Sequence, residues 1–327
     1  MRAMLLHKQG HLSLEEIDRP KIEEDQLLLK VKTCAICRTD LHILDKELPY
    51  PKLPLILGHQ IVGIVEEIGK KVTKFAKGDR VGVSWLAKSC RVCEFCKEGK
   101  ENLCNNPLFT GYTHDGGLAE YTSCYAEYVF PLPDSFSDIA AAPLLCAGMI
   151  GYRSYCKASP KNTIGLYGFG SAAHLLLQLA LFEKKEVYAF TREGDKEGAL
   201  FAKKLGAHWA GSAKEKPPVL LDAAIIFAPA GELLPLSLQA LKKGGRCICG
   251  GIHMSDIPSF PYKDLWEEKR IESVANLTRK DGFEYLALAT KAKIKTATRV
   301  YPLEKANEAL QDLKEGKNKG SAVIQVG

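Results

Sequence analysis

The chain has 327 residues, 46% of them hydrophobic and 26% charged, with a formal net charge of +6 and eleven cysteines. This length favours two domains, each able to bury its own core, and charge spread without a long basic run argues against a nucleic-acid surface. No stretch approaches eighteen consecutive apolar residues, and the opening MRAMLLHKQGHLSLEE turns polar too soon for a signal peptide, so the expectation is a cytoplasmic protein with no membrane partner. In that reducing setting, clustered cysteines read as metal ligands or catalytic groups and not as disulfides.

Residues 1–33 alternate as strands, most clearly at LLLKVKT (27–33). The next stretch, CAICRTDLHILDKELPYPKLPLILGHQ (34–60), places Arg38, Thr39, Asp40 and His42 between Cys37 and His59, inside otherwise apolar sequence. Catalytic zinc is normally held by three protein ligands, with a fourth position left for water or substrate. Cys37 and His59 read as two of three; a small buried thiol and a satisfied core histidine are the plain alternative. GHQIVGIVEEIG (58–69) and KGDRVGVSW (77–85) predict further strands, so the first third is β-rich.

SCRVCEFCKEGKENLC then carries Cys90, Cys93, Cys96 and Cys104 at C-x2-C-x2-C-x7-C. Sulfurs converging from one tight loop suit a tetrahedral structural zinc. An iron–sulfur centre competes, but its bacterial run ends C-x3-C-P, whereas here the last spacing is seven and Asn105 follows. With all four positions filled by protein, such a zinc holds a lobe together and binds no substrate. GYTHDGGLAEYTSCYAEYVF (111–130) returns to strand alternation, with His114 and Cys124 read as structural or surface residues, and DSFSDIAAAPLLCAGMIGYRSY (134–155) has helical character around a third candidate ligand, Cys146.

Near residue 152 the pattern changes. NTIGLYGFGSAAHLLLQLALFEKKEVYAFTRE reads as strand (163–167), glycine turn (168–170), helix (171–183) and strand (186–190), the opening of a βαβ dinucleotide-binding unit. In the string Gly168-x-Gly170-x-x-Ala173, Gly168 permits the turn, Gly170 lets backbone approach a pyrophosphate, and Ala173 allows close helix–strand packing. The acidic residue that would take the ribose 2′-hydroxyl of NAD is replaced by Thr191 and Arg192. A hydroxyl and a guanidinium can bind a 2′-phosphate that a carboxylate would repel, which favours NADP over NAD. Further on, 197–207 predicts a helix, 219–230 a strand, 232–245 a helix and 246–251 a strand, in which Cys247 and Cys249 are expected to point to opposite faces and share no metal. Ala306, Ala309, Leu310 and Leu313 mark a last helix stopped at Gly316, before the strand SAVIQV.

Taken together, CRTDLH (37–42), GHQ (58–60), VGVSWLAKSCRVCEFCKEGKENLC (81–104), LLCAG (144–148) and GLYGFG (165–170) resemble the zinc-dependent alcohol dehydrogenases of the medium-chain dehydrogenase/reductase superfamily, over nearly the whole chain. The resemblance implies an α/β protein: a GroES-like β-rich catalytic domain (1–148 and 285–327, with the structural-zinc lobe at 85–105) and an inserted Rossmann domain with a doubly wound parallel sheet (149–284). It implies two zinc ions per chain, a catalytic one on Cys37, His59 and Cys146 and a structural one on Cys90, Cys93, Cys96 and Cys104. It assigns Thr39 to the substrate oxygen, His42 to proton release, Asp40 to orienting His59, Arg38 to the pyrophosphate, Lys196 to the adenosine ribose and Trp85 to the substrate pocket. The implied reaction is reversible hydride transfer between a small alcohol and its aldehyde or ketone, in a tetramer or dimer. An NADPH-dependent aldehyde reductase, or a non-enzymatic zinc and nucleotide sensor, are the alternatives. One residue departs from the family's pattern: Gln60 stands where a glutamate is usual, so altered exchange of the zinc-bound ligand is expected.

Overall fold

The computed structural model describes every residue except Gln9. The chain divides into two compact units, one made of Met1–Ala147, Asn276–Ala287 and Thr296–Gly327, the other of Gly148–Ala275 and Leu288–Lys295.

The first unit is built on the long strand Gln26–Ile36, which pairs antiparallel with Gln60–Ile68, with Tyr121–Tyr125 and with Ser321–Gln325. These belong to a seven-stranded sheet, accompanied by a three-stranded and a two-stranded one. Apolar residues two apart on the central strand, Leu27, Leu29 and Val31, share a face and join Ile61, Val65 and Ile324 in one core. The C-terminal strand thus lies directly beside an N-terminal one, with Ala322 opposite Ile36. This is the β-rich part of the α/β fold.

The second unit is a six-stranded sheet in the order Trp209–Ser212, Glu186–Thr191, Thr163–Tyr167, Leu221–Ile226, Leu241–Cys249, Arg270–Ser273. Every pairing is parallel. Its inner strands are near-continuous apolar runs, TIGLY and LDAAII, as expected of strands covered on both faces. The order runs outward in both directions from the neighbours Thr163–Tyr167 and Leu221–Ile226, the doubly wound arrangement in which ligands bind at the carboxyl ends of the strands where the direction reverses. Among the described residues no helix is long and apolar enough to cross a membrane.

Two expectations are corrected here. The helix expected over 232–245 ends at Gln239, because Leu241, buried at 2% exposure, pairs with Leu221 and starts the next strand early; sheet pairing overrides the helical propensity of LKK. Cys247 and Cys249 do not face opposite ways. Residues two apart on a strand share a face, and here Cys249 packs against the same buried cluster that holds Cys247, whose Sγ lies 3.0 Å from Ser237 Oγ.

The sheet of the second unit is pinned at the start of its central strand by Asp222. Its carboxylate accepts from the backbone N–H groups of Asn162 (2.6 Å) and Thr163 (2.8 Å) and pairs with Lys242 Nζ at 2.8 Å. Burial opposes its charge, but Lys242 and the two N–H donors outweigh it and hold Asp222 below its usual value of 3.8. A lowered folded-state pKa means that the stabilisation is full above the unfolded value and is lost as pH falls through the folded one. Asp222→Asn is therefore expected to destabilise the protein by about 1–3 kcal/mol in denaturant titrations at pH 7, with the gap to wild type closing below about pH 4.

Candidate active site

The structure brings together donor atoms of Cys37, His59 and Cys146, all within 4.8 Å of one another. Each sits at a break in regular structure. Cys37 is the extended residue immediately before the helix Arg38–Leu44. His59 follows Gly58, whose φ of +92° suits glycine and where a Cβ would come within 2.6 Å of Cys34 Sγ. Cys146 lies between the turn Ala142–Leu145 and the helix Ala147–Ala158. Pro143 in that turn has no N–H to donate, which favours the interruption that presents Cys146.

The electrostatics of the cluster favour a cation. Cys37 Sγ is 3.3 Å from His59 Nε2. A hydrogen bond from the Cys146 thiol, aided by His59, holds Cys37 well below the usual thiol range, and the same contact pushes Cys146 up. Burial disfavours charge on His59, yet Asp40 and the Cys37 sulfur pull its pKa up to about 10. A tetrahedral ion about 2.3 Å from sulfur and about 2.0 Å from nitrogen would hold its ligands roughly 3.5–3.8 Å apart, so this donor set fits zinc. Beside it, Gln60 is 1% exposed and neither heteroatom of its side-chain amide has a hydrogen-bond partner.

Asp40, fully buried, orients the cluster. Its Oδ2 accepts from the Cys37 N–H (2.8 Å), its Oδ1 accepts from the Gly58 N–H (3.2 Å), and Oδ1 lies 3.3 Å from His59 Nδ1. Arg38 and Thr39 are half-buried on the same helix, and buried His42 follows. Trp85, only 6% exposed, sets its ring edge-on to His59 at 4.9 Å and stacks on Phe109 (5.2 Å) and Tyr112 (5.7 Å). Sequence reasoning missed Phe109 and Tyr112, and also Glu47, which contacts His42 Nδ1. No spacing rule marks them, because their contacts join separate segments.

The sulfurs of Cys90, Cys93, Cys96 and Cys104 form a second cluster, again within 4.8 Å of one another. Backbone N–H groups point at them: those of Val92 and Cys93 lower Cys90, those of Asn105 and Cys96 bring Cys93 to about 6, while burial lifts Cys104 to about 11. Four sulfurs this close suit one ion at their centre, since about 2.3 Å from metal to sulfur sets neighbouring thiolates roughly 3.8 Å apart.

In the second unit Gly168 has φ +87°, and a Cβ there would come within 2.7 Å of Ala228; at Gly170 a Cβ would meet nothing within 4 Å, so the turn before the helix Ser171–Phe182 is open to an approaching group. Ala173 is fully buried. His174 is lowered to about 4 by burial and is neutral at pH 7, leaving the helix N-terminus as the attraction for anions. Thr191 ends its strand with Oγ1 donating to Gly211 O at 3.4 Å; Arg192 and Lys196 are exposed just beyond it, and Glu193 pairs with Lys214 at 2.6 Å.

Residues 23–134 match the alcohol dehydrogenase GroES-like domain family. The chain is 41% identical to the probable alcohol dehydrogenase AdhA of Mycobacterium tuberculosis, over all of this chain and 97% of that protein. It belongs to the zinc-type alcohol dehydrogenases of the medium-chain dehydrogenase/reductase superfamily. Among solved alcohol dehydrogenases, a cinnamyl alcohol dehydrogenase of Sorghum bicolor superposes with a TM-score of 0.90 at 26% identity, covering 99% of this chain and 97% of that one. The CAD of Helicobacter pylori, solved with NADP(H), gives 0.88 at 26% identity over 99% and 97%.

In this alcohol dehydrogenase the buried Asp40 carboxylate is the group that faces Nδ1 of His59. Asp40→Ala is expected to weaken zinc binding at the Cys37–His59–Cys146 cluster by about 10- to 100-fold in chelator competition, with the four-cysteine cluster unaffected.

Proposed function

We propose that the enzyme is a zinc-dependent, NADP(H)-preferring dehydrogenase that interconverts a small alcohol and its aldehyde or ketone. The observation that carries this reading is the Cys2His cluster, whose three donors converge around a thiolate held low and a buried histidine oriented by Asp40. When bound, the catalytic zinc supplies Lewis acidity toward the alcohol oxygen. Bound NADP+ would supply the acceptor for the hydride of the carbinol carbon.

The chain's own residues do the rest. Cys37, His59 and Cys146 hold the cation with one position open, and Asp40 fixes the His59 ring. Thr39, two residues after Cys37, orients the substrate hydroxyl, and His42 takes the released proton toward solvent. Trp85, backed by Phe109 and Tyr112, forms an aromatic wall beside His59 that suits an apolar substrate body. Gln60 leaves the cluster without an extra carboxylate. Cys90, Cys93, Cys96 and Cys104 hold a second, closed zinc. Gly168, Gly170 and Ala173 shape the pyrophosphate turn, with Arg38 as a further phosphate contact; Thr191 and Arg192 take the 2′-phosphate and Lys196 the ribose. Glu193, already paired with Lys214, offers little repulsion to that phosphate.

Purified enzyme is expected to contain about two zinc per chain, and Cys37→Ser to abolish alcohol-dependent NADPH formation while retaining one zinc; a fully active wild type with a single zinc overturns the two-site reading. Arg192→Ala is expected to lower kcat/KM for NADP by about 10-fold or more, with NAD changed little. An unchanged NADP/NAD ratio removes the case for NADP.

A further inference from the structure

We infer that Glu47 is a positioning residue for His42, fixing which ring nitrogen accepts the proton released by the substrate. This rests on the reading of His42 as a proton-relay residue and adds a group that sequence reasoning did not single out.

The observation is local and specific. The helix Arg38–Leu44 is capped by Asp45, Lys46 adopts φ +62°, and the N–H of Glu47 donates to His42 O at 2.8 Å. The chain thereby folds back so that Glu47 Oε2 meets His42 Nδ1. The neighbouring Asp45 carboxylate is taken by Lys314 Nζ at 2.8 Å. The contact differs from an ordinary surface ion pair, which contributes little, because the His42 side chain is only 8% exposed while that of Glu47 is 40% exposed. One end of the pair is inside the protein and the other reaches water.

The chemistry follows from which groups can donate. An ionised carboxylate only accepts hydrogen bonds, so its contact requires the hydrogen of neutral His42 to be on Nδ1. Nε2 is then the atom that takes up a proton. When the alcohol O–H gives up its proton and Nε2 receives it, the resulting imidazolium is balanced by the Glu47 carboxylate. Loss of a proton from Nε2 to water restores the neutral ring with its hydrogen still on Nδ1. Without Glu47 the ring populates both tautomers, and the fraction carrying hydrogen on Nε2 cannot accept there.

The test uses the zinc-loaded enzyme and three variants, Glu47→Gln, Glu47→Asp and His42→Gln, each checked for zinc content and melting behaviour. The ring nitrogens of His42 are read by 15N NMR, and kcat and KM by alcohol-dependent NADPH formation. The expected results are an Nδ1–H signature for His42 in wild type and mixed tautomers in Glu47→Gln. The kcat of Glu47→Gln should fall by about 10-fold with KM within about twofold, and Glu47→Asp should recover most of both properties. An Nε2–H tautomer in wild type, or an Nδ1–H tautomer that persists in Glu47→Gln, overturns the inference. So does a Glu47→Gln enzyme with full kcat when His42→Gln is impaired. If His42→Gln itself keeps full kcat, the relay reading fails, and the tautomer spectra alone then decide whether Glu47 fixes the ring.

Discussion

A single buried carboxylate organises the candidate active site. Asp40 accepts from the backbone of Cys37 and of Gly58 and faces Nδ1 of His59, so one side chain ties the start of a helix, the turn before a strand and a ligand ring into one body. A fully buried charge is tolerated only with such compensation, and removing one partner of a buried charged network typically costs about 3–5 kcal/mol. The same carboxylate raises His59, while Cys146 and His59 lower Cys37, so negative charge is concentrated where a cation fits. Geometry and electrostatics at this cluster have one cause.

The aromatic stack connects this cluster to the cysteine lobe. Trp85 touches His59 on one side and stacks on Phe109 and Tyr112 on the other. Phe109 in turn belongs to the short strand Leu108–Phe109, which pairs with Leu86–Lys88, and Tyr128 anchors the adjoining Ser89 through its hydroxyl. The four cysteines follow directly on that anchor. Folding of the lobe therefore bears on how the tryptophan meets the histidine, which gives the four-cysteine cluster a physical link to the cluster of Cys37, His59 and Cys146.

The second unit separates shape from charge. Gly168 and Gly170 keep the turn narrow and open, and the neutral His174 leaves anion attraction to the helix N-terminus. Exposed charge lies instead at the end of Glu186–Thr191, where Arg192 and Lys196 stand and Glu193 is engaged by Lys214. Side chains exposed there are open to substitution without disturbing the buried sheet.

What the amino-acid order determined by itself is what is local. The strand, turn and helix at 163–183 were legible because apolar runs and glycines there encode short-range geometry, and the C-x2-C-x2-C-x7-C run was legible because its donors come from one loop. Cys146 was ambiguous alone, being one thiol between leucine and alanine, and its place beside Cys37 and His59 comes from a proline-interrupted helix meeting two distant segments. The early end of the helix at Gln239, the stack on Trp85 and the contact of Glu47 with His42 lie beyond composition and motif. Strand pairing, stacking and hydrogen bonding between segments are set by burial and partner geometry, and only the tertiary structure brings those partners together.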